Sequence, residues 1–250
     1  MKVSIITVTY NSALYLEDTI SSIRKQTYKD IEYIIIDGGS TDTTLDIITR
    51  HKDVINYFIS EKDNGIYDAM NKGIKAATGN IIGFLNSDDF FYDDNVVSSI
   101  VNQFSDNIDC IYGDVVFVKS SNLNKPIRLY SSKDFDISQF KYGKMPAHPS
   151  FYARSIVYKT VGNLKSTYKI AADFDFILRA LLTHKFKFRY LNFIFVKMRI
   201  GGISTSFKNK ILLNKEILKS CNENNISTNY LLIYSKYFKK IFSYIIKKQS

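Results

Sequence analysis

Two adjacent carboxylates, Asp88 and Asp89, directly follow the apolar run of residues 81–85. The run is typical of a buried strand, so the pair stands where the chain turns out of a sheet. Carboxylate oxygens at such a strand end can hold a divalent cation against a phosphate. Adjacent aspartates are also common in turns, where their side chains bind nearby backbone N–H groups. The pair therefore predicts a cation and phosphate site, with an ordinary turn as the alternative.

Other polar and aromatic residues follow three further strand-like segments of the first half. They are Thr7, Thr9, Tyr10 and Asn11 at the end of the first, Asp37 at the end of the second, and Asp63 to Gly65 after the third. If these strands are parallel neighbours, their carboxyl ends line one edge of the sheet and share one crevice. Tyr10 would supply an aromatic wall there, and Asp37 a carboxylate able to accept a hydrogen bond from a base N–H.

The sequence offers no glycine-rich cradle for phosphates. Neither Gly-x-x-x-x-Gly-Lys-Ser/Thr nor Gly-x-Gly-x-x-Gly occurs, so we expect a cation to hold the phosphates in place of a backbone loop. An aromatic wall, a base acceptor and a cation site together indicate a nucleoside diphosphate as the ligand.

The segments that must position these residues alternate as in repeated βαβ units. The predicted strands are residues 3–9, 31–37, 55–60 and 81–85, and the predicted helices are residues 12–27, 41–50, 93–104 and one that begins at Ile66. Asn11 or Ser12 is expected to cap the first helix, and Ser40 the second. The helix from residue 66 should turn Ile66, Met70, Ile74 and Ala77 to the core and Asp68, Asn71, Lys72 and Lys75 to the opposite face.

The pattern changes after residue 109. Strand-like segments at residues 111–119, 126–130 and 186–199 surround a helix over 173–183, whose buried stripe should be Phe174, Ile177, Leu178 and Leu181. We therefore predict an α/β fold with a mostly parallel, mixed sheet flanked by helices. Its domain would cover residues 1–205, with a nucleotide-binding half over 1–105, a substrate-shaping half over 106–205 and a helical tail over 206–250.

Length and composition agree with that organisation. A chain of 250 residues with 45% hydrophobic residues suits one such domain with an extension. Its two cysteines have neither metal-ligand nor disulfide spacing, which favours a reducing, cytosolic setting. The first residues do not resemble a signal peptide, and no apolar run approaches the ~20 residues of a transmembrane helix. We expect a cytoplasmic protein that is soluble or peripheral on a membrane.

The formal charge of +10 is concentrated in the tail, where residues 208–250 contain nine lysines, no arginine and two acids. Residues 228–248 predict a basic amphipathic helix whose apolar face would be Leu231, Tyr234, Tyr237, Phe238, Ile241, Phe242 and Ile245. Such a helix suits the anionic inner surface of a membrane. The alternative is a helix packed on its own domain with its lysines in solvent. Nucleic-acid binding is not expected, because base readers favour arginine.

Four motifs occur in a fixed order, and together they carry a resemblance to a known family. They are VSIITVTYN at residues 3–11, IIDGGSTD at 35–42, DNGIYDAMNKG at 63–73 and FLNSDD at 84–89. In these motifs the chain resembles the family 2 glycosyltransferases over about its first 205 residues. The resemblance implies a GT-A fold and the transfer of a sugar from a nucleotide donor with inversion at the anomeric carbon.

The resemblance also implies roles for individual residues. The nucleoside would be bordered by Thr7, Thr9 and Tyr10, its base bonded by Asp37, and the pocket extended by Asp68 and Asn71. Asp88 and Asp89 would form the DXD-type site, in which Asp89 is the more direct ligand of Mn²⁺ or Mg²⁺. The ion is needed because the leaving diphosphate gains negative charge as the glycosidic bond breaks.

The family's catalytic base usually lies in a Glu-Asp pair that opens a late helix. In the matching stretch at residues 170–176, Asp173 aligns with the catalytic aspartate and Ala172 replaces the glutamate. Asp173 would deprotonate the acceptor hydroxyl, with Asp175 as the second candidate. The alternative for Asp173 is a helix cap, which satisfies free backbone N–H groups.

Two later segments are assigned to the acceptor and diphosphate side. His148 lies between two prolines in a segment that resembles the family's acceptor-side histidine loop, although a lone histidine is often structural. Gly202 and Ser204 belong to a glycine-rich segment that can approach a ligand or act as a lid, or can simply be a turn. Lys197 and Arg199 just before it would meet phosphates or solvent.

The leading functional hypothesis is an inverting, metal-dependent glycosyltransferase. It would move a hexose or N-acetylhexosamine from a UDP-sugar to a lipid-linked saccharide in bacterial surface polysaccharide synthesis, such as O-antigen or capsule. One alternative is a sugar-1-phosphate nucleotidyltransferase, although residues 9–12 lack the glycine-rich basic loop of such enzymes. The other is a non-catalytic nucleotide-sugar-binding protein, which Ala172 would suit. The sequence makes no prediction of oligomeric state, linkage or the particular donor sugar.

Overall fold

The computed structural model of the chain describes residues 1–201 and 207–237. Within these residues the strands are β1 (Val3–Thr9), β2 (Ile31–Asp37), β3 (Tyr57–Ser60), β4 (Ile81–Phe84), β5 (Phe90–Phe91), β6 (Cys110–Lys119), β7 (Asn122–Tyr130), β8 (Tyr152–Arg154) and β9 (Phe188–Arg199). The helices are α1 (Leu16–Arg24), α2 (Thr44–Arg50), α3 (Ile66–Ala76), α4 (Val96–Val101), α5 (Ser155–Val161), α6 (Ala172–Leu178) and α7 (Phe207–Glu223). Residues 230–237 are also helical, and α6 continues into a π-helical turn, Arg179–Thr183.

All these strands belong to one mixed sheet in the order β3-β2-β1-β4-β8-β6-β9-β5, with β7 paired to β6. The first four in this order are parallel, and Asp37 lies beside both Thr9 and Ser60 in the register. Strand β8 is antiparallel to β4 and β6, whereas β9 is parallel to β6. The predicted α/β class is confirmed, and the carboxyl ends of β3, β2, β1 and β4 meet at one edge.

The buried core lies on both faces of this sheet. On one face, Ile6, Ile34 and Ile36 pack with side chains of α3, α6 and α7. On the other face, Ile5 and Ile35 pack with α1, α2 and α4. Strands covered on both sides need apolar side chains at nearly every position, which explains the continuous β-branched runs in β1 and β2.

The predicted bounds of β1 and β2 are confirmed, but the caps predicted for the first two helices are wrong. Helix α1 begins at Leu16, after a turn in which Tyr15 and Leu16 donate their N–H groups to the carbonyl of Ser12. Helix α2 begins at Thr44. The Ser40 hydroxyl donates to Asp37, so Ser40 does not cap this helix. In both places the side chains predicted as caps form hydrogen bonds with other residues of the fold.

The apolar face predicted for α3 is only partly correct. Met70 is buried, but Ile66 is exposed and its place against the core is taken by Tyr67. A Cβ atom on Gly73 would collide with Ile6, so glycine lets α3 lie directly on β1. On this helix the Tyr67 hydroxyl donates to Asp173, in the second half of the chain.

Sequence patterns did not reveal the short elements of the second half. Strands β5 and β8 span two and three residues, too few to display a period, and helix α5 follows β8 without a break. The stripe predicted for the long helix is confirmed, because Phe174, Ile177, Leu178 and Leu181 are all buried. The helix itself divides at residue 178 into α6 and the π-helical turn.

The described part of the predicted tail packs on the domain. Ile217 and Cys221 of α7 lie in the core, and so does Ile233. Leu231, which was predicted to lie on the packed face, is 84% exposed. Tyr234 and Tyr237 of that predicted face are half-buried. Its other members, Phe238, Ile241, Phe242 and Ile245, lie outside the described residues, and the division at residue 205 stays a prediction. Among the helices that the structure describes, none is long and apolar enough to span a membrane.

Glu32 ties the opposite end of the sheet together and gives a test of the fold. Although burial raises its pKa, hydrogen bonds from Lys2, Ser4 and Thr78 lower the pKa of Glu32 to about 2. Replacing it in Glu32→Gln should lower the free energy of unfolding by about 2 kcal/mol at pH 7. Because the folded-state pKa lies below the unfolded one, the difference between the two proteins should shrink as the pH falls from about 4.5 towards 2. Urea denaturation across this pH range, with exposed Asp106→Asn as control, measures the difference in the free energy of unfolding. A difference that does not depend on pH would contradict the lowered pKa of Glu32.

Candidate functional site

The carboxyl edge of β3, β2, β1 and β4 gathers most of the predicted residues into one region. Gly38 N–H donates to the carbonyl of Thr9 at 2.9 Å, and Leu85 N–H to that of Ile6 at 3.0 Å. The turns that follow β1, β2 and β4 are therefore held side by side. Gly202 and Ser204 lie outside the described residues.

Asp88 and Asp89 lie at the end of β4, where the predicted cation site was placed. Asp89 is 1% exposed, and its Oδ2 accepts from Asn86 Nδ2 at 3.1 Å. Burial raises the pKa of both carboxyls, and the charge of Asp88 raises that of Asp89 further. In the described part of the chain neither forms an ion pair within 4.0 Å. Two buried carboxylates in need of positive charge suit Mg²⁺ or Mn²⁺, which prefer oxygen ligands.

Arg199 supports this turn from behind. It is buried, pairs with Asp18, and donates from Nη1 to the backbone carbonyl of Asp88 at 2.5 Å. Its guanidinium lies 4.9 Å from the centre of the Tyr15 ring and 5.0 Å from that of Phe90. The expectation that Arg199 meets phosphate or solvent is wrong: its contacts position Asp88. The available signal for this role was an arginine at the end of a largely apolar strand.

Asp37 is completely buried and its carboxylate is occupied by its own loop. It accepts from Gly39 N–H at 3.1 Å, Ser40 N–H at 2.9 Å, Ser40 Oγ at 2.5 Å and Ser60 Oγ at 2.6 Å. Since a carboxylate accepts about four hydrogen bonds, these donors satisfy it. These bonds hold the turn after β2 and disfavour the predicted bond from a base N–H to Asp37, which stays a prediction.

The three residues predicted to border the nucleoside differ in accessibility. Thr7 is buried, donates to the Leu85 carbonyl at 2.7 Å and accepts from Tyr33 at 3.1 Å, so it joins β1 to the end of β4 and does not face a ligand. The Thr9 hydroxyl is buried and has no hydrogen-bond partner among the described residues. Tyr10 is 62% exposed, as a stacking surface requires.

Asp68 and Asn71 on α3 bond the protein around the predicted pocket. Asp68 accepts from Asn64 N–H at 3.0 Å and pairs with Lys72 at 3.4 Å, which fixes the loop before α3. Asn71 makes two bonds to the backbone of Leu164, at 2.8 and 2.9 Å. The nitrogen and the oxygen of the Asn71 amide each make one of these bonds, so the side chain ties α3 to residue 164, and its predicted contact with the nucleoside stays a prediction.

Asp173 lies in the first turn of α6 and faces residues from two other elements. Its Oδ1 accepts from Phe174 N–H at 2.8 Å and from the Tyr67 hydroxyl at 3.4 Å. Burial raises the pKa of Asp173, while nearby His148 lowers it. The residue as a whole is half-buried. Its carboxyl is therefore poorly hydrated, which suits a general base.

His148 connects Asp173 to the end of β4. Its ring centre lies 5.2 Å from that of Phe84, four residues before Asp88. Burial lowers the pKa of His148, and the charge of Asp173 raises it. The predicted base and the predicted metal ligands thus come from distant parts of the sequence but approach the same strand end.

Asp175, the second candidate for the base, is 0% exposed and belongs to an ionic network. Its carboxylate accepts from Arg179 Nε at 2.7 Å, Ser220 Oγ at 3.0 Å and Lys165 Nζ at 3.2 Å. These contacts occupy both oxygens of Asp175 and hold α6 to α7. They disfavour Asp175 as the base relative to Asp173.

Sequence reasoning missed Glu216 of α7. Its carboxylate accepts from the backbone N–H groups of Lys169, Ile170 and Ala171 at 2.8, 2.9 and 3.0 Å. Because these groups precede α6, Glu216 places a negative charge at the amino end of the helix that carries Asp173. Ala172, which stands where the family has glutamate, is buried. The only available signal was that Glu216 is one of two acids in the lysine-rich tail.

Comparison with known sequences gives a consistent result. Residues 4–159 match the family model described as glycosyl transferase family 2. A PGL/p-HBAD biosynthesis glycosyltransferase of Mycobacterium bovis is 30% identical over 222 residues, covering 86% of this chain and 82% of the relative. An uncharacterized glycosyltransferase of Mycobacterium tuberculosis is 36% identical over 186 residues, covering 72% of this chain and 69% of the relative.

Solved structures share the fold at low sequence identity. S. aureus TarS 1–349 in complex with UDP-GlcNAc aligns with a TM-score of 0.70 and 17% identity, over 94% of this chain and 71% of that one. In another TarS structure the chain spans 39% of the protein. The mannosyltransferase PcManGT of Pyrobaculum calidifontis, in complex with GDP-Man and Mn²⁺, aligns with a TM-score of 0.69 and 14% identity. The alignment covers 91% of this chain and 65% of that one. These likenesses establish the GT-A fold.

Proposed function

The chain belongs to glycosyl transferase family 2, and from that premise we propose that it is an inverting enzyme that uses a UDP-sugar as donor. A single observation carries the proposal: the partly exposed Asp173 approaches, through His148 and Phe84, the strand end that presents Asp88 and Asp89. One carboxylate is thus placed for proton transfer and two for a cation. Nothing in the site favours the nucleotidyltransferase alternative.

Asp88 and Asp89 would hold Mn²⁺ or Mg²⁺ together with the donor diphosphate. When bound, the ion supplies positive charge that offsets the charge developing on the leaving diphosphate. Arg199 and Asn86 keep the two carboxylates in place before the donor arrives. Preorganised charge of this kind needs little rearrangement during the reaction. Two solved structures of the same fold contain Mn²⁺ with a nucleotide, which supports a divalent cation in general.

Asp173 accepts the proton of the acceptor hydroxyl as that oxygen attacks the anomeric carbon. The new bond forms on the face opposite the breaking bond to the diphosphate, so the configuration inverts. The neutral His148 orients the acceptor or the diphosphate beside Asp173, and the Tyr67 hydroxyl fixes the carboxylate. We assign Gly202 and Ser204 to the diphosphate side on the family resemblance alone.

The donor side favours UDP, since neighbours of this fold are solved with UDP and UDP-GlcNAc. We propose a hexose or N-acetylhexosamine as the sugar and a lipid-linked saccharide as the acceptor, in surface polysaccharide synthesis such as O-antigen or capsule. The lysine-rich tail supports action at the cytoplasmic face of a membrane, where anionic lipids attract basic segments. A relative named as a PGL/p-HBAD biosynthesis glycosyltransferase supports a biosynthetic role.

A panel of UDP-sugars and GDP-sugars tests the proposal. Calorimetry with and without Mn²⁺ should show that UDP binds and that the cation strengthens binding. Transfer should follow with one UDP-sugar and a lipid-linked or synthetic acceptor, and the product should have the inverted anomeric configuration by NMR. Cation-dependent UDP binding without transfer or hydrolysis of any donor would instead support the non-catalytic alternative. Pyrophosphate release from a nucleoside triphosphate and a sugar 1-phosphate would support the nucleotidyltransferase.

A further inference from the structure

Asp63 occupies the space beside the turn after β2. A Cβ atom on Gly38 would lie 2.5 Å from Asp63 Oδ2 and 3.2 Å from its Cγ. The carboxyl group of Asp63 therefore lies against the Gly38 backbone, in room that exists only because residue 38 has no side chain. The same position is 3.6 Å from Cδ2 of Tyr10, so Tyr10 and Asp63 border one place at the carboxyl edge.

The two oxygens of Asp63 differ in what they contact. Oδ1 accepts from Gly65 N–H at 2.8 Å, whereas Oδ2 has no hydrogen-bond partner among the described residues. The loop is also fixed from α3, because Asn64 N–H donates to Asp68 at 3.0 Å. Gly65 has a φ of +108°, a conformation that favours glycine. Asp63 is thus held with one oxygen engaged and the other open beside an exposed aromatic ring.

We propose that Asp63, and not the saturated Asp37, reads the nucleobase of the donor. The inference rests on the nucleotide site proposed above. The base stacks on Tyr10, and its ring N–H donates to Asp63 Oδ2. Asp63 is better placed than Asp37 to accept this bond, because Asp37 is completely buried and already accepts four hydrogen bonds from Gly39, Ser40 and Ser60.

The single open oxygen also selects among bases. Uracil presents one N–H, at N3, between two carbonyl groups. Guanine presents a ring N–H next to an amino group, a pair of donors that needs both oxygens of a carboxylate. Cytosine presents an acceptor at N3, which the carboxylate repels. With Oδ1 engaged by Gly65, Asp63 suits uracil.

The first test measures the affinity of the full chain for UDP, CDP, GDP and 3-methyl-UDP, which lacks the N3 hydrogen, in the presence of Mn²⁺. The unsubstituted protein should bind UDP at least about tenfold more tightly than 3-methyl-UDP, because a hydrogen bond to a charged acceptor is lost. Asp63→Ala should bind both compounds equally. Exposed Asp106→Ala is the matched control, and it should retain the preference. If Asp63→Ala discriminates as strongly as the unsubstituted protein, the proposal is overturned.

Asp63→Asn gives a second test that does not depend on removing the side chain. Its amide oxygen can keep the bond from Gly65 N–H, which turns the amide N–H₂ towards the base. A donor there opposes uracil N3–H but matches the N3 acceptor of cytosine, so the ratio of CDP to UDP affinity should rise about tenfold or more. A merely structural Asp63 would leave this ratio unchanged, which would overturn the proposal. If the unsubstituted protein binds no nucleoside diphosphate at all, the proposed function fails as well.

Discussion

Asp173→Asn is expected to lower kcat for sugar transfer by about 10²- to 10⁴-fold, the usual contribution of a general base. The substitution keeps the shape of the side chain and its hydrogen bond from Phe174 N–H, but the amide cannot accept the acceptor's proton. Affinity for UDP with Mn²⁺ should not change, because Asp173 contributes nothing to the donor site in the proposed mechanism. Steady-state kinetics and calorimetry on the same preparation separate the two quantities.

The pH profile gives an independent readout of the same residue. Transfer requires the ionised carboxylate, so kcat/KM should fall as the pH drops through the pKa of Asp173. Because burial raises this pKa, the fall should begin at a higher pH than an ordinary aspartate of pKa 3.8 would give. The acid limb should disappear in Asp173→Asn and persist in the exposed control Asp106→Asn. An unchanged kcat in Asp173→Asn would refute the assignment of the base.

Asp89→Asn is expected to remove the contribution of Mn²⁺ to UDP binding. An amide is a poorer ligand than a carboxylate and carries no charge to balance the ion. Altering a group that merely supports a metal ligand usually costs about 10- to 100-fold in affinity, so loss of a direct ligand should cost at least about 100-fold. In binding titrations, Asp89→Asn should bind UDP with the same weak affinity in Mn²⁺ and in EDTA. The unsubstituted protein should bind UDP more tightly in Mn²⁺ than in EDTA.

The stability of Asp89→Asn distinguishes a lost ligand from a damaged fold. Without metal, burial and the charge of Asp88 raise the pKa of Asp89 well above its ordinary value. The ionised group therefore destabilises the folded chain at neutral pH, and its removal should leave the thermal midpoint unchanged or higher. A lower midpoint, or Mn²⁺-dependent UDP binding equal to that of the unsubstituted protein, would argue against Asp89 as a ligand.

The crevice as a whole could be predicted because it follows from strand order. Apolar runs of the right length fixed β1 and β2, and parallel pairing then brought Tyr10 and Asp88 to the same edge. Asp173 was found only through the family motif, since no local pattern separates a base from a helix cap. Both of its neighbours precede it in the chain, Tyr67 by 106 residues and His148 by 25.

Several assignments are disfavoured by contacts within the protein, because the sequence does not show which hydrogen bonds a side chain already makes. Asp37 and Asn71 match the family motif, yet four donors occupy the first and the backbone of Leu164 occupies the second. Asp175 was a reasonable candidate for the base until Arg179 and Lys165 were found on its oxygens. Hydrogen-bond partners at long sequence separation decide whether a polar side chain can receive a ligand.

The sequence by itself determined the α/β class, the strand ends that meet at one edge of the sheet and the turn that carries Asp88 and Asp89. These depend on local hydrophobicity and on residue types next to one another in the chain. The tertiary structure decided which carboxylates are free: it satisfied Asp37, left an oxygen of Asp63 open beside Gly38, and brought Glu216 from α7 to the amino end of α6. The physical reason is that solvation and hydrogen bonding of a buried charge depend on its neighbours in space, which only the folded chain brings together.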